Sequence, residues 1–265
     1  KCGAFTIVVN NISLNKNFKI FFKIINSLFY KNKKEKVGKL LLECLISLGP
    51  GYIKFGQALS TRPDLIGNET CQYLKKLQDD IKPFSGSIAK DIIESELKDN
   101  IKNVFISFEE KPVANASVAQ VHRGILKNGD KVAIKILRPN IEKLLFNDFI
   151  FFYWFSKCIE LFIPKIKRFK FSKNVEVLSE VSLNELDLTM EAASADELAE
   201  NFRDHYNYKV PKIYWQITTP KLLVLEYVDG IRIDDLHSLK KNNYDIKKIT
   251  ETGAEVLFLQ VFRDG

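Results

Sequence analysis

A lysine inside an apolar β run is the feature that most restricts this chain. Residues 113–136 read VANASVAQVHRGILKNGDKVAIKI. Alternation over Ser117 to Gly124, the turn signal Asn128-Gly129-Asp130 and the β-rich run Lys131 to Ile136 together predict a hairpin. In the second run, Val132-Ala133-Ile134-Lys135 puts an ammonium group on a largely apolar strand. Desolvation there calls for an anion: a carboxylate, a phosphate or both. The loop entering the hairpin (Ala114, Asn115, Ala116, Ser117) is small and polar, which leaves its backbone open to close approach by a ligand.

Net charge favours an anionic partner too. The chain carries +7 at neutral pH, which suits a nucleotide, a nucleic acid or an acidic membrane surface. Its lysines are scattered and no basic sheet motif interleaved with aromatics occurs, which argues against nucleic acid. With 265 residues, 46% of them hydrophobic and 28% charged, the chain can bury a substantial core as one large or two small domains. Its four cysteines lie far apart without metal-ligand spacing, as expected of reduced, mostly buried thiols in a cytosol-facing protein. There is no internal repeat and no low-complexity linker. The chain starts at Lys1 and stops at Gly265, just after an apolar helical pattern, Ile246 to Phe262, and is expected to be part of a longer protein.

Read in order, Lys1 to Lys36 contains FKIFFKIINSLFYKNKKEK, with apolar residues at helical spacing among lysines. It suits an interfacial helix on an anionic membrane, or equally an amphipathic helix on its own domain. Lys19 and Lys23 exclude a spanning helix. Val37 to Leu48 is amphipathic, with Val37, Leu40, Leu41, Cys44, Leu45 and Leu48 on one side, and Gly49-Pro50-Gly51 stops it. Lys54 and Gln57 follow, on one face if helical. Glu69 to Ile81 and Ser87 to Lys98 read as short helices, the second capped by Ser85 or Ser87 with Ile88, Ile92 and Leu97 inward. Strand signals begin at Val104 to Phe108. Ile141 to Ile163 is rich in Phe and Leu, but Lys143, Asp148, Lys157 and Glu160 exclude a membrane span. A helix buried against its neighbours is expected. Lys173 to His205 reads as one long helix, and Val210 to Ile217 and Lys221 to Val228 as strands.

The long helix offers Lys135 its partner. Asp187 and Glu191 are one turn apart and share a face, whereas Glu185 points about 160° from Asp187 on a helix of 3.6 residues per turn. Glu191 can therefore reach the strand lysine while Glu185 faces another surface. A helix glutamate that holds a strand lysine against the α- and β-phosphates is the arrangement of a protein-kinase small lobe. The small-residue loop falls where such lobes usually place glycines. His122, His205 and His237 have no acidic or cysteine spacing around them and read as structural.

Four runs in order, LGPGYIKFGQALSTRPDL, PVANASVAQVHRGILKNGDKVAIKILRPNI, ELDLTMEAASA and LQVFRDG, resemble the UbiB (AarF-type) atypical kinase-like family over about residue 40 to the end. The resemblance implies an α+β fold: a kinase-like small lobe, with an antiparallel sheet and a long αC-type helix, behind an N-terminal helical extension, the large lobe being truncated. Its domains would be an amphipathic segment (1–48), the KxGQ extension (49–99), the small lobe with an inserted helix (100–230) and the connector with the first helix of the large lobe (231–265). Lys54, Gly56 and Gln57 match the KxGQ motif, and Glu185 and Asp187 the ExD acids that look toward it. Val113, Ala114, Asn115, Ala116, Ser117, Val118, Ala119, Gln120 and Val121 match an alanine-rich loop over the nucleotide; Asn115 stands where alanine or serine is more usual. Lys135 and Glu191 match the ion pair, and Glu226, Tyr227 and Val228 the hinge that would hold adenine through backbone groups.

The implied cofactors are ATP or ADP with Mg2+, whose ligands are expected beyond residue 265; without them the chain alone is expected to be inactive. The implied whole protein is an atypical kinase or ATPase that supports ubiquinone or related quinone-lipid biosynthesis. It would act at the cytoplasmic face of the bacterial inner membrane, with an anionic membrane surface or a prenyl-lipid, and other quinone-biosynthesis proteins, as partners. A non-catalytic nucleotide- or lipid-binding pseudokinase module is the alternative. Because each Cβ stiffens the loop relative to glycine, slow ATP hydrolysis or small-molecule transfer fits the alanine-rich loop better than protein phosphorylation.

Overall fold

The computed structural model describes residues 37–78, 82–162 and 164–265, so the amphipathic pattern before residue 37 lies outside the described residues. Helices and an antiparallel sheet make an α+β chain, divided into two compact units. One takes residues 1–88, 111–121 and 137–186, and the other 89–110, 122–136 and 187–265.

In the first unit α1 (Val37–Leu48) and α2 (Pro50–Ser60) meet at Gly49, whose φ of +120° only a residue without Cβ adopts easily. Pro50 then starts α2, where a missing amide hydrogen costs nothing. The short helix α3 (Pro63–Ile66), α4 (Asn68–Leu74) and a 3-10 turn (Lys75–Gln78) complete the bundle. Its core is Leu41, Leu45, Ile53, Leu74 and Leu77. Val37 and Leu48, expected on the inward side of α1, are exposed, because they sit at the two ends of the helix and overhang that core.

A shift also occurs in α5 (Gly86–Leu97), where Ala89 and Ile93 are buried and Ile88 is exposed. The inward pair is four apart, and Ile88 lies one residue off that stripe. Ser85 caps the helix, its hydroxyl accepting from the Ile88 amide at 3.4 Å.

Beyond α6 (Ile101–Val104), the chain forms β1 (Phe105–Phe108), β3 (Ala119–Leu126), β4 (Lys131–Leu137) and β5 (Leu222–Glu226), in the order β1-β3-β4-β5. The hairpin turn is as expected: Gly129 takes φ +88°, and its amide donates to the Leu126 carbonyl at 2.9 Å. In the first unit a two-residue strand, β2 (Ala114–Asn115), pairs with Val121 and Gln120.

The remaining elements correct three sequence expectations. The first concerns α7 (Ile141–Phe162): Ile141, Leu145 and Phe149 are buried, but Phe146, Ile150, Phe151 and Trp154 are exposed. Its core contact is a single stripe four residues apart, which leaves the opposite side outside the packing. Secondly, residues 173–205 are not one helix. They form α8 (Phe171–Asn184) and α9 (Leu188–Asn201), separated by Glu185–Asp187. Asp187 adopts extended backbone and its side chain accepts from the Thr189 amide, so a new helix begins there. Thirdly, residues 210–217 are not a strand. They contribute an isolated bridge, Ile213 to Leu225, and a 3-10 turn at Trp215–Ile217. Pro211 offers no amide hydrogen for a ladder. Two helices, α10 (Leu236–Lys241) and α11 (Ile246–Phe262), end the described chain.

Packing around Gly56 generates a stability prediction. A Cβ there would strike Leu77 Cδ1 and come within 2.7 Å of Leu45 Cδ1, and both leucines are buried in the core. Alanine gains about 1 kcal/mol of helix propensity, but overpacking a closed core costs about 1–3 kcal/mol. Gly56→Ala is expected to lower the melting temperature in calorimetry; an unchanged or raised value would contradict this packing.

Candidate functional site

In the second unit, β4 alternates so that Val132, Ile134 and Ile136 are buried and Lys135 emerges half-buried on the other side. Lys135 sits opposite Leu223 of β5, and its Nζ donates to both carboxylate oxygens of Glu191 at 2.8 and 2.6 Å. Several local devices aim Glu191. Asp187 caps α9, accepting from the Thr189 amide at 3.0 Å and the Thr189 hydroxyl at 2.5 Å. The Leu188 amide donates to the Pro220 carbonyl just before β5, at 2.9 Å. Glu191 therefore stands in the first turn, where a negative charge is favoured by the helix dipole. The two side chains are 22% and 51% exposed, so the pair adds no more than about 1 kcal/mol to stability. Its geometry holds the ammonium group in place, with one of the three Nζ hydrogens left over from the two bonds to Glu191.

The predicted hinge follows β5. The Glu226 amide donates to the Lys212 carbonyl at 2.8 Å and the Tyr227 amide to the Lys131 carbonyl at 3.0 Å, so both are engaged by the protein. Lys209 pairs with the Glu226 carboxylate and holds it below the usual carboxylate range. Val228 is exposed. Arg123, which the sequence reading passed over, donates to the Tyr227 hydroxyl and lies over its ring at 4.3 Å, fixing the side chain. His122 is structural, as expected. It is fully buried, its Nδ1 lies 2.8 Å from the Glu109 carbonyl, it stacks on Phe108, and burial lowers its pKa.

In the first unit Lys54 on α2 donates to Glu185, which ends α8. Gln57, one turn on, donates from Nε2 to the Leu77 carbonyl at 2.9 Å. The KxGQ lysine and the first ExD acid thus meet, whereas Asp187 is engaged at the head of α9. The helix break between the two acids, rather than opposite faces of one helix, sends them to different partners.

The alanine-rich segment is held more firmly than its composition suggests. The Val113 amide donates to the Val121 carbonyl and the Ala116 amide to the Ala119 carbonyl, both at 2.8 Å. Arg138, also unanticipated, donates to the Ala116 carbonyl from Nε and Nη2 at 3.2 and 3.1 Å. Ser117, Val118, Ala119 and Gln120 are buried, and Gln120 brackets the Phe84 backbone through its amide oxygen and nitrogen. Val113 to Ala116, and Val121 at the far end of the segment, keep exposed or half-exposed side chains, so the expectation of a freely approachable loop is narrowed.

Asp148 is a third residue whose contact sequence reasoning missed. It sits on α7, and its Oδ2 accepts from the Gly51 amide at 2.9 Å. A Cβ at Gly51 would meet Asp148 Cβ at 2.5 Å, so glycine is what lets the carboxylate reach the backbone at the start of α2. Burial pushes the Asp148 carboxyl above the usual carboxylate range, against the opposing effect of the Gly51 amide. The signal was present: an acid within an aromatic helix requires a donor.

The chain is similar to known proteins of one family. The model of the ABC1 atypical kinase-like domain matches residues 76–265. A protein of Shewanella sp. (strain ANA-3) named probable protein kinase UbiB is 39% identical over 249 residues, covering 92% of this chain and 45% of that protein. Its namesake in Pseudomonas paraeruginosa is 40% identical over 227 residues, covering 86% and 43%. The chain thus spans less than half the length of these relatives. Among solved structures, the complex of Rv3197 with erythromycin from Mycobacterium tuberculosis is similar at a TM-score of 0.50 and 26% identity, covering 83% of this chain and 52% of that one.

The Asp148 contact yields two opposed expectations. Asp148→Ala leaves the buried Gly51 amide unsatisfied and is expected to cost about 1–3 kcal/mol. Asp148→Asn keeps an acceptor and removes the half-buried charge, so at neutral pH it should be at least as stable as the parent. Since the folded pKa is raised above the ordinary 3.8, the contribution of Asp148 is fully present below that value and declines as pH rises through the folded pKa. Denaturant melts across that window should show the decline in the parent and not in Asp148→Asn; the same slope in both would exclude Asp148 as its origin.

Proposed function

Because the chain belongs to the ABC1 atypical kinase-like domain family, we propose that it is the nucleotide-gripping part of a UbiB-type ATPase or atypical kinase that supports quinone-lipid biosynthesis. Lys135 takes the α- and β-phosphates of ATP or ADP, Glu191 keeps the lysine in place, and the backbone carbonyls and Val228 at the end of β5 face adenine. Val113 to Ala116 belong to the segment that matches the family's loop over the nucleotide. Lys54, Gln57 and Glu185 form the regulatory contact of the helical extension. The protein works at an anionic membrane surface on the cytoplasmic face of the inner membrane, where prenyl-lipids and other quinone-biosynthesis proteins are its partners.

The observation that carries this reading is the bidentate Lys135–Glu191 pair on the face of a strand. Its donors suit a polyphosphate, since an ammonium shared with a carboxylate still has valence for a second anion. Among the described residues, no group of three or more His, Cys, Asp or Glu is placed to hold a metal. The hydrogen-bonded alanine-rich turn favours tight nucleotide binding with slow turnover over rapid protein phosphorylation.

Nucleotide binding can be read directly by calorimetry. The chain is expected to bind ATP or ADP. Lys135→Ala should weaken binding by at least about tenfold, the worth of a charge-assisted contact, while its melting temperature stays close to the parent's. A chain that binds neither nucleotide, or a Lys135→Ala variant that binds like the parent, would overturn the assignment.

A further inference from the structure

We infer that the outer side of α7 is a membrane-facing surface that lies flat on anionic lipid, inserting its aromatic residues without crossing the bilayer. The inference deepens the membrane partner proposed above and rests on that reading. At about 100° per residue, Phe146, Ile150, Phe151, Trp154, Leu161 and Phe162 fall within a half-circle centred near Trp154, opposite the buried stripe of Ile141, Leu145 and Phe149. All six are exposed, from 46% at Phe151 to 75% at Leu161. A contiguous apolar surface of that length on a charged, water-facing protein marks an interaction site.

Charge selects the occupant. The charged residues in this half-circle are lysines, Lys143 and Lys157. The acids of α7 lie elsewhere: Asp148 accepts from the Gly51 amide, Glu160 from the amide and hydroxyl of Ser172, and Glu142 points about 120° from Trp154. The segment that follows, residues 164–170, reads PKIKRFK, with Lys167, Arg168 and Lys170 exposed beside exposed Phe169 and Phe171. Aromatics with lysines and no acid, ending in a basic aromatic stretch, complement an anionic lipid surface. No helix among the described residues is long and apolar enough to cross a membrane, so the fitting geometry is interfacial.

The chain's tryptophan count makes the test specific, since it has two, Trp154 and Trp215. Trp215 belongs to the second unit and donates to Asp196, so it serves as the internal control. Full chains carrying Trp215→Phe or Trp154→Phe would be mixed with phosphatidylglycerol vesicles whose acyl chains are brominated, and with pure phosphatidylcholine vesicles. The expected result is a blue shift and quenching of Trp154 on the anionic vesicles only, with Trp215 unaffected. Phe151→Ser with Trp154→Ser should reduce vesicle flotation at least about tenfold. Lys143→Gln and Lys157→Gln should each reduce it about fivefold, with binding weakened by salt.

Three results would overturn the inference: no flotation, flotation without quenching of Trp154, or a dimer in solution that the serine variants dissociate without any effect on lipid. The second leaves membrane binding through another part of the chain standing. Calorimetry of the serine variants with ATP separates the two proposals, because their nucleotide affinity should equal the parent's whether or not they float.

Discussion

One ammonium group on a mostly apolar sheet organises the second unit. Lys135 cannot turn inward, because Val132, Ile134 and Ile136 already occupy the buried side of β4. On the other side it needs an anion of fixed position, and a helix must deliver one. The start of α9 is therefore tied down through the Asp187 cap and the Leu188–Pro220 backbone contact, which place Glu191 within bidentate reach. The pair is too exposed to be explained by stability alone. What the two bonds to Glu191 achieve is a cation fixed in direction.

Glu185 and Glu191 lie within two turns of sequence yet serve two lysines in two units: Glu185 meets Lys54 and Glu191 meets Lys135. The interruption at 185–187 makes this possible, since Asp187 ends one helical run by starting another. In the first unit, Asp148 holds the start of α2, the helix that carries Lys54 and Gln57.

Features governed by neighbours in sequence were legible. The Asn-Gly-Asp turn, the Gly-Pro-Gly break and the lysine in its strand follow from short-range rules about φ, missing donors and desolvation. The Lys135–Glu191 and Lys54–Glu185 pairs could be anticipated from the charges and from the family motifs. The helix break could not be read from periodicity, because acids at 185, 187 and 191 suit one helix as well as two; only the Asp187 side chain turning to its own backbone decides it. Residues 210–217 misled because their apolar content suits a strand although Pro211 cannot donate. The Asp148–Gly51 contact joins residues 97 apart, and the outward face of α7 depends on which neighbours it has. An acid in an aromatic helix signals the need for a donor, but neither the identity of that donor nor the exposure of the outward face leaves a local mark.

If Lys135 and Glu191 act on nucleotide as one unit, their contributions to affinity cannot be independent. The most direct measurement is a double-mutant cycle of Lys135→Ala and Glu191→Ala read as ATP affinity. The account predicts that Glu191→Ala weakens binding in the parent and has little further effect once Lys135 is gone. Additive losses from the two substitutions would contradict it.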